Sequence, residues 1–196
     1  MCSSDLHPLW KDLDEKCELR GVKGHKKVFA DLNQPGDIGP WDVVYCSGVI
    51  YHMPDPVHTM LQLRSLCKRY LVLTSMIVPP RMSGPDGEVV LGEGQVVFVP
   101  AISGVTKSVC AAHLDALDIK IFGVNLNEPF VWHYGDTGPS RAGENSIHGS
   151  GVNYGPWWWL FTEEFVERLL TLAGFRVLDR EETWAARAVS FLAERV

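Results

Sequence analysis

The residues of this chain that could do chemistry lie on one short stretch within its first third. Trp41–Cys46 is a nearly continuous apolar run, and Ser47 and Gly48 follow it directly. Small residues at such a point let a ligand approach the backbone closely. Tyr51 and His52 come next, and a neutral imidazole near physiological pH can take a proton from an attacking oxygen or nitrogen. These residues are therefore the first candidates for a functional site, with a plain tight turn as the alternative for the small residues.

A strand, a helix and a second strand must position these residues. The Trp41–Cys46 run is typical of a parallel strand that is buried on both faces. Pro54 and Pro56 bracket the start of a helix, Lys68–Arg69 suits the negative C-terminal end of that helix, and Tyr70–Thr74 predicts the next strand. This spacing indicates a βαβ unit, in which a right-handed crossover makes the two strands parallel. The chain is therefore predicted to be an α/β protein.

Further elements flank this unit on both sides. They are a helix from Pro8 to about Gly24, a strand over Lys27–Leu32 that delivers Asp31 to a loop, a helix from the N-cap Thr162 to the C-cap Gly174, and closing strands at Phe175–Leu178 and Ala186–Leu192.

Two of these segments resemble the class I S-adenosylmethionine-dependent methyltransferases. Residues 41–56, WDVVYCSGVIYHMPDP, are similar to the fourth strand of that family and the loop after it. Residues 161–177 are similar to its helix and Ala-Gly-Phe turn before strand six, and the whole resemblance covers about 28–78 and 157–192. It implies a Rossmann-like sheet of order 3-2-1-4-5-7-6 with strand seven antiparallel. Here that sheet is truncated to strands 3–7, with a long insertion after strand 5.

The glycine-rich first motif of the family does not occur in this sequence. Gly92-Glu93-Gly94 lacks the third glycine and does not follow a core strand. The chain is therefore interpreted as a single truncated domain, 1–196, from the C-terminal part of a longer protein. Residues 1–6 match one reading frame of a common sequencing adapter and are interpreted as an artefact. Without strands one and two, Val43 and Val44 are expected on an apolar sheet edge.

The resemblance implies S-adenosylmethionine as the cofactor. It implies that the Asp31 carboxylate accepts a hydrogen bond from the adenine amino group and that the backbone near Leu32 meets the ring. Ser47, Gly48 and Val49 are implied to lie beside the reacting methyl group. The alternatives are an ordinary turn aspartate for Asp31 and a plain tight turn for the three small residues.

Tyr51 and His52 are the candidate catalytic residues. In this role His52 takes the proton from the nucleophile as it attacks the sulfonium methyl group. The alternative is a histidine that serves packing or loop shape.

Residues 79–156 are interpreted as an insertion or lid, because a segment of this length between core elements is usually functional. His133 and Trp157 are the preferred substrate contacts within and beside it, since aromatic side chains can exclude water and stack on a planar or sugar substrate. Three adjacent tryptophans, 157–159, plug a sheet edge equally well. His113 and His148 lack the short spacings of zinc ligands, so no metal site is predicted.

The composition limits which kinds of partner the protein is expected to bind. A net charge of -6 and the absence of basic runs disfavour binding to a nucleic acid backbone. No apolar run is long enough for a membrane span. Five cysteines without a CxxC pair favour reduced thiols in a cytoplasm.

The sequence thus predicts methyl transfer to a small-molecule or glycan acceptor. The alternatives are a non-catalytic α/β binding or scaffold module and an enzyme that modifies the wobble uridine of transfer RNA, which the string Gly48–His52 also resembles. A nicotinamide oxidoreductase is disfavoured because no GxGxxG fingerprint occurs. The acceptor and the oligomeric state stay open.

Overall fold

The computed structural model describes residues 8–26, 28, 30–116 and 158–196, without the side chains of 8–12 and 115. The chain divides into two compact units, Met1–Gly36 and Asp37–Val196. The first unit contains the helix α1, Pro8–Leu19, which confirms the predicted N-terminal helix. Gly21 and Gly24 follow it with positive φ angles of 66° and 76°, so the stop signals lie where the sequence places them.

The strand predicted over Lys27–Leu32 is wrong at each of its described residues. Asp31 instead forms an isolated bridge with Gln34, whose N–H donates to the Asp31 carbonyl at 2.9 Å. The N–H of Asn33 donates to Asp31 Oδ1 at 2.9 Å. An aspartate at the first position of a β-turn makes this bond to its own backbone two residues on, so turn chemistry overrides the short apolar run.

The second unit is a mixed α/β structure. Its helices are α2 (Pro56–Leu66), α3 (Gly104–Ala116) and α4 (Glu163–Leu172). Its strands are β1 (Trp41–Ser47), β2 (Cys67–Met76), β3 (Arg81–Gly84), β4 (Gly87–Val90), β5 (Val97–Phe98), β6 (Trp159–Leu160), β7 (Phe175–Thr183) and β8 (Ala188–Arg195).

The main sheet has four strands in the order β1-β2-β8-β7. β1 and β2 are parallel, and β8 is antiparallel to both of its neighbours. This is the 4-5-7-6 half of the sheet that the resemblance implies, with the antiparallel strand in the expected place. The predicted α/β fold class is therefore confirmed.

β1 is an edge strand among the strands that the structure describes. Trp41, Val43 and Tyr45 alternate along it, share one face and are 59%, 57% and 70% exposed. Val44 points to the opposite face and is half-buried. The exposed apolar edge that was expected at Val43 is therefore present.

The core of the second unit lies between this sheet and the helices α2 and α4. Alternate residues of the two central strands, among them Leu71, Leu73 and Phe191, are fully buried. Leu63 of α2 and Leu170 of α4 are buried as well. Both helices thus contribute an apolar face to a core that the hydrophobic effect stabilises.

The boundaries of α2 differ from the expectation at its C-terminal end. Asp55 caps the helix by accepting a hydrogen bond from the N–H of His58 at 2.8 Å, as an N-cap aspartate does. The helix ends at Leu66, and the chain becomes extended at Cys67. Lys68–Arg69 therefore lies in β2 rather than at the helix end, and Arg64 is the basic residue of the last turn.

The C-terminal helix and strands are confirmed. Thr162 Oγ1 accepts a hydrogen bond from the N–H of Phe165 at 3.3 Å, which caps α4. Gly174 has a φ of 75° immediately after Ala173, where helices commonly end in the left-handed conformation. Both closing strands run further than predicted at their C-terminal ends, to Thr183 and Arg195, but the second begins at Ala188 and not at the predicted Ala186, which lies in the turn.

The described part of the predicted insertion is more regular than its sequence indicates. β3 and β4 form a hairpin, β5 pairs with β6, and α3 packs on the hairpin. The sequence pattern missed α3, whose Val109 and Cys110 are fully buried. Residues 117–157 lie outside the described part of the chain, so the lid stays a prediction.

Candidate functional site

The candidate site is the end of the sheet at which β1, β2 and β7 finish. These three strands run in the same direction, so their carboxyl ends lie side by side there. Ser47 pairs with Thr74 and Thr74 pairs with Ser190, whose hydroxyl lies 2.7 Å from that of Thr74. Open α/β sheets bind their ligands outside the carboxyl ends of their strands.

Ser47, Gly48 and Val49 form the turn at the end of β1. Gly48 has a φ of 73°, and its N–H donates to the carbonyl of Thr74 at 3.0 Å. A Cβ at this position would lie 3.3 Å from Trp184 Cη2 and 3.4 Å from the hydroxyl of Tyr51. Glycine therefore suits both the left-handed backbone conformation and the close contacts at this point.

Tyr51 and His52 follow on a short 3-10 helix, Ile50–His52. Tyr51 is buried, and its ring centroid lies 4.3 Å from that of the half-buried His52. Burial and the nearby Cys46 thiol raise the pKa of Tyr51 above its ordinary value. The hydroxyl of Tyr51 therefore stays protonated near neutral pH.

Two tryptophans hold this 3-10 helix against the rest of the unit. The N–H of Trp158 donates to the carbonyl of Tyr51 at 3.0 Å. The indole N–H of Trp159 donates to the carbonyls of Met53 and Pro54 at 3.1 and 3.3 Å. Both residues thus anchor the loop after β1.

The turn between β7 and β8 brings a residue to the site that the sequence pattern missed. Trp184, Ala185 and Ala186 have positive φ angles of 52°, 57° and 62°. The N–H of Ile77 donates to the carbonyl of Arg187 at 3.1 Å and ties the turn to the end of β2. No glycine or asparagine marks the turn, so turn chemistry offered no signal for it.

The remaining predicted site residues lie in the first unit or outside the described residues. Asp31 is exposed and Leu32 half-buried in a turn of the first unit, which is described by itself. His133 and Trp157 lie outside the described residues. The roles assigned to all four stay predictions.

Metal ligation finds no support in the described ranges. No group of three histidine, cysteine, aspartate or glutamate side chains there is arranged to hold a metal ion. His113 is half-buried on α3, and burial lowers its pKa. Burial likewise raises the pKa of the Cys46 thiol to about 12, so this sulfur is not an activated nucleophile.

A separate cavity of about 590 Å³ lies between α4 and the segment after β2. Glu163, Glu167 and Arg180 line it, and Arg180 Nη1 lies 2.8 Å from Glu163 Oε1 and 3.4 Å from Glu167 Oε2. Arg180, the one basic side chain among the described residues that line the cavity, is therefore already ion-paired. None of the described helices is long and apolar enough to cross a membrane.

The half-sheet with its parallel β1–β2 pair and the antiparallel β8 belongs to a mixed α/β fold. Comparisons with protein-family models and with curated proteins find no match. Solved structures with a similar fold include magnesium protoporphyrin IX methyltransferase from Synechocystis PCC 6803, with a TM-score of 0.44 and 18% identity over 95% of this chain and 59% of that one.

Two further matches are methyltransferases by their descriptions. The 1,6-didemethyltoxoflavin-N1-methyltransferase of Burkholderia thailandensis has a TM-score of 0.47 and 12% identity over 96% of this chain and 57% of that one. An O-methyltransferase family 2 protein of Planctomyces limnophilus in complex with apigenin has a TM-score of 0.49 and 12% identity over 97% and 41%. The chain thus spans about half the length of the structures that it matches.

Proposed function

We propose that this chain is the C-terminal part of an S-adenosylmethionine-dependent methyltransferase that acts on a small-molecule or glycan acceptor. One observation carries the proposal. The left-handed Gly48 lies at the carboxyl end of β1 in a 4-5-7-6 half-sheet, at the position where the sequence resemblance implies the reacting methyl group.

The residues at the carboxyl end of β1 fit such a cofactor. A ligand would approach the backbone of this turn from the side opposite the Cβ position of Gly48, because Trp184 and Tyr51 fill the Cβ side. S-adenosylmethionine, when bound, supplies a methyl group activated by its positively charged sulfur. In a transfer of this kind the acceptor atom would bond to the methyl carbon, and the sulfur would leave with the electron pair of the sulfur–carbon bond.

Four residues of this chain have roles in the proposed transfer. The imidazole of His52 takes the proton that the acceptor oxygen or nitrogen loses. Tyr51 stays protonated and packs against the His52 ring, which fixes the orientation of the imidazole. Trp158 and Trp159 hold the loop in place, so the rate gain comes mainly from positioning and from exclusion of water.

The cofactor-binding half is proposed to be shared with sequence upstream of this chain. Asp31 and Leu32 are proposed to meet the adenine, and a glycine-rich loop that this sequence lacks is proposed to lie under the methionine part. His133 and Trp157 are proposed acceptor contacts. By this account the 196-residue chain alone does not bind the cofactor measurably.

The second candidate is a non-catalytic scaffold module. The exposed edge of β1, with Trp41, Val43 and Tyr45 on one face, favours it because such an edge can pair with another chain. A transfer RNA substrate is less favoured, since the net charge of -6 supplies no broad basic surface.

Calorimetric titration with S-adenosylhomocysteine separates the two candidates. The titration is run on this chain and on the same chain preceded by the upstream part of its reading frame. Binding by the extended protein alone supports the methyltransferase proposal. If neither protein binds, the scaffold module is favoured and the enzyme proposal is lost.

A further inference from the structure

Two aromatic residues enclose one side of the turn at Gly48. A Cβ at this position would lie 3.3 Å from Trp184 Cη2 and 3.4 Å from the Tyr51 hydroxyl. Tyr51 is 4% exposed and belongs to the core, whereas Trp184 is 43% exposed. The indole of Trp184 therefore lies at the margin of the core and meets the glycine turn with its tip.

The backbone that carries Trp184 is costly to form. Residues 184–186 all lie in the left-handed region, which residues with a side chain rarely occupy. The hydroxyl of Thr183, just before them, is buried without a hydrogen-bond partner among the described residues. The N–H of Ile77 holds the turn by donating to the carbonyl of Arg187 at 3.1 Å. Strained conformations that the surroundings impose in this way are concentrated at functional sites.

The geometry limits how Trp184 can influence a ligand. The N–H of Gly48 donates to the carbonyl of Thr74 at 3.0 Å, which fixes the turn against β2. Trp184 fixes the same turn from the Cβ side of Gly48. A ligand that approaches the opposite side is separated from the tip of the indole by the glycine backbone. Trp184 therefore acts on such a ligand through the conformation of Gly48.

We propose that Trp184 is a positioning residue, whose indole holds the turn of residues 47–49 in the conformation that binds S-adenosylmethionine. The inference rests on the proposed function and adds to its site a residue from near the C-terminus. A turn that is already held in one conformation loses less conformational entropy when a ligand binds. Trp184 thus raises the affinity for the cofactor without contacting it.

The test combines calorimetric titration with hydrogen exchange. The titration uses the chain extended upstream, with S-adenosylhomocysteine as the probe. Trp184→Leu removes the indole tip that reaches Gly48 and keeps an apolar side chain. Trp41→Leu, at a residue that is 59% exposed on β1, is the matched control. Far-ultraviolet circular dichroism verifies that both variants are folded, and Trp184→Phe replaces the leucine variant if that one does not fold.

The expected result is binding about tenfold weaker in Trp184→Leu and unchanged in Trp41→Leu. In the protein without ligand, the Gly48 amide of Trp184→Leu should exchange with solvent about tenfold faster. The amides of α4 should keep their exchange rates, which separates a local loosening of the turn from a general loss of stability.

Two outcomes overturn the inference. One is an affinity of Trp184→Leu equal to that of the parent protein. The other is an equal acceleration of exchange at Gly48 and throughout α4, which would make Trp184 a general stabilising residue. Failure of the proposed function looks different, because the extended parent protein itself then binds no S-adenosylhomocysteine, and the positioning role is lost with it.

Discussion

Trp184 and Gly48 meet so closely that a Cβ on residue 48 would lie 3.3 Å from Trp184 Cη2. The two residues are far apart in sequence. They meet because β8 pairs with β2 and so carries the β7–β8 turn to the carboxyl end of β1. The contact makes the glycine turn and the aromatic turn a single structural unit at the candidate site.

Substitution of Gly48 by alanine is expected to cost more stability than the same change at Gly94. Both glycines have left-handed φ angles, of 73° and 71°, but a Cβ at Gly94 meets nothing within 4 Å. Urea unfolding is expected to give a loss of about 1 kcal/mol for Gly94→Ala and about 2 kcal/mol for Gly48→Ala. Adding Trp184→Ala should recover part of the second loss, and equal losses at the two sites would show that the contact is unimportant.

Arg64 is expected to stabilise the junction between α2 and the C-terminus. Its guanidinium donates to the carbonyls of Gly174 and Val196 at 3.0 and 2.9 Å. Arg64→Met should lower the free energy of unfolding by about 2 kcal/mol, because two carbonyls lose a charged donor. The control is the exposed Arg168, whose Nη2 lies 3.6 Å from Glu164 Oε1. Arg168→Met should change the free energy of unfolding by less than about 0.5 kcal/mol. A comparable loss in the two variants would contradict the role assigned to Arg64.

Stability is expected to fall at alkaline pH in part because of Cys46. Burial raises the pKa of this thiol from 9.0 to about 12, so between these values the folded protein holds a proton that the unfolded chain releases. The stabilising contribution is complete below pH 9 and is lost as pH rises toward 12, with a slope of up to about 1.4 kcal/mol per pH unit. In unfolding measurements, the free energy of unfolding of Cys46→Ala, taken relative to its value at pH 7, should fall less steeply above pH 9. A slope that the substitution leaves unchanged would show that Cys46 does not cause the alkaline loss of stability.

The free edge of β1 is expected to promote self-association. Tyr45 on this edge is 70% exposed, as is Leu172 on α4. Tyr45→Lys places a charge on the edge and should lower the weight-average mass in sedimentation at high protein concentration. Leu172→Lys is matched in exposure but lies off the edge, and it should leave the mass unchanged. If the two substitutions have the same effect, general surface polarity rather than the edge is responsible.

The elements with local signals could be predicted from the sequence. The continuous apolar run of β1 and the Thr162 cap of α4 each carry their own evidence, and the structure contains both elements. The sequence pattern did not predict α3, because β-branched and small residues interrupt its helical pattern. Packing on the β3–β4 hairpin stabilises this helix in the folded protein. The run at Lys27–Leu32 failed for the opposite reason, since a local turn at Asp31 prevails where no described strand pairs with it.

The candidate site likewise has one part that local sequence signals predict and one part that they do not. The turn at Gly48 was predictable, because small residues after an apolar strand are a local signal. The approach of Trp184 was not, because it depends on the register of β7, β8 and β2 rather than on any neighbouring residue. Protonation of Tyr51 likewise follows from its burial, which is a tertiary property.

The most direct test of the proposed cofactor site is amide NMR of the chain extended upstream, titrated with S-adenosylhomocysteine. The account predicts that the amide resonances of Ser47, Gly48 and Val49 shift strongly and saturably, and that those of the β3–β4 hairpin do not. Saturable binding with shifts confined to the hairpin, or with no shift at Gly48, would contradict the placement of the cofactor at the carboxyl end of β1.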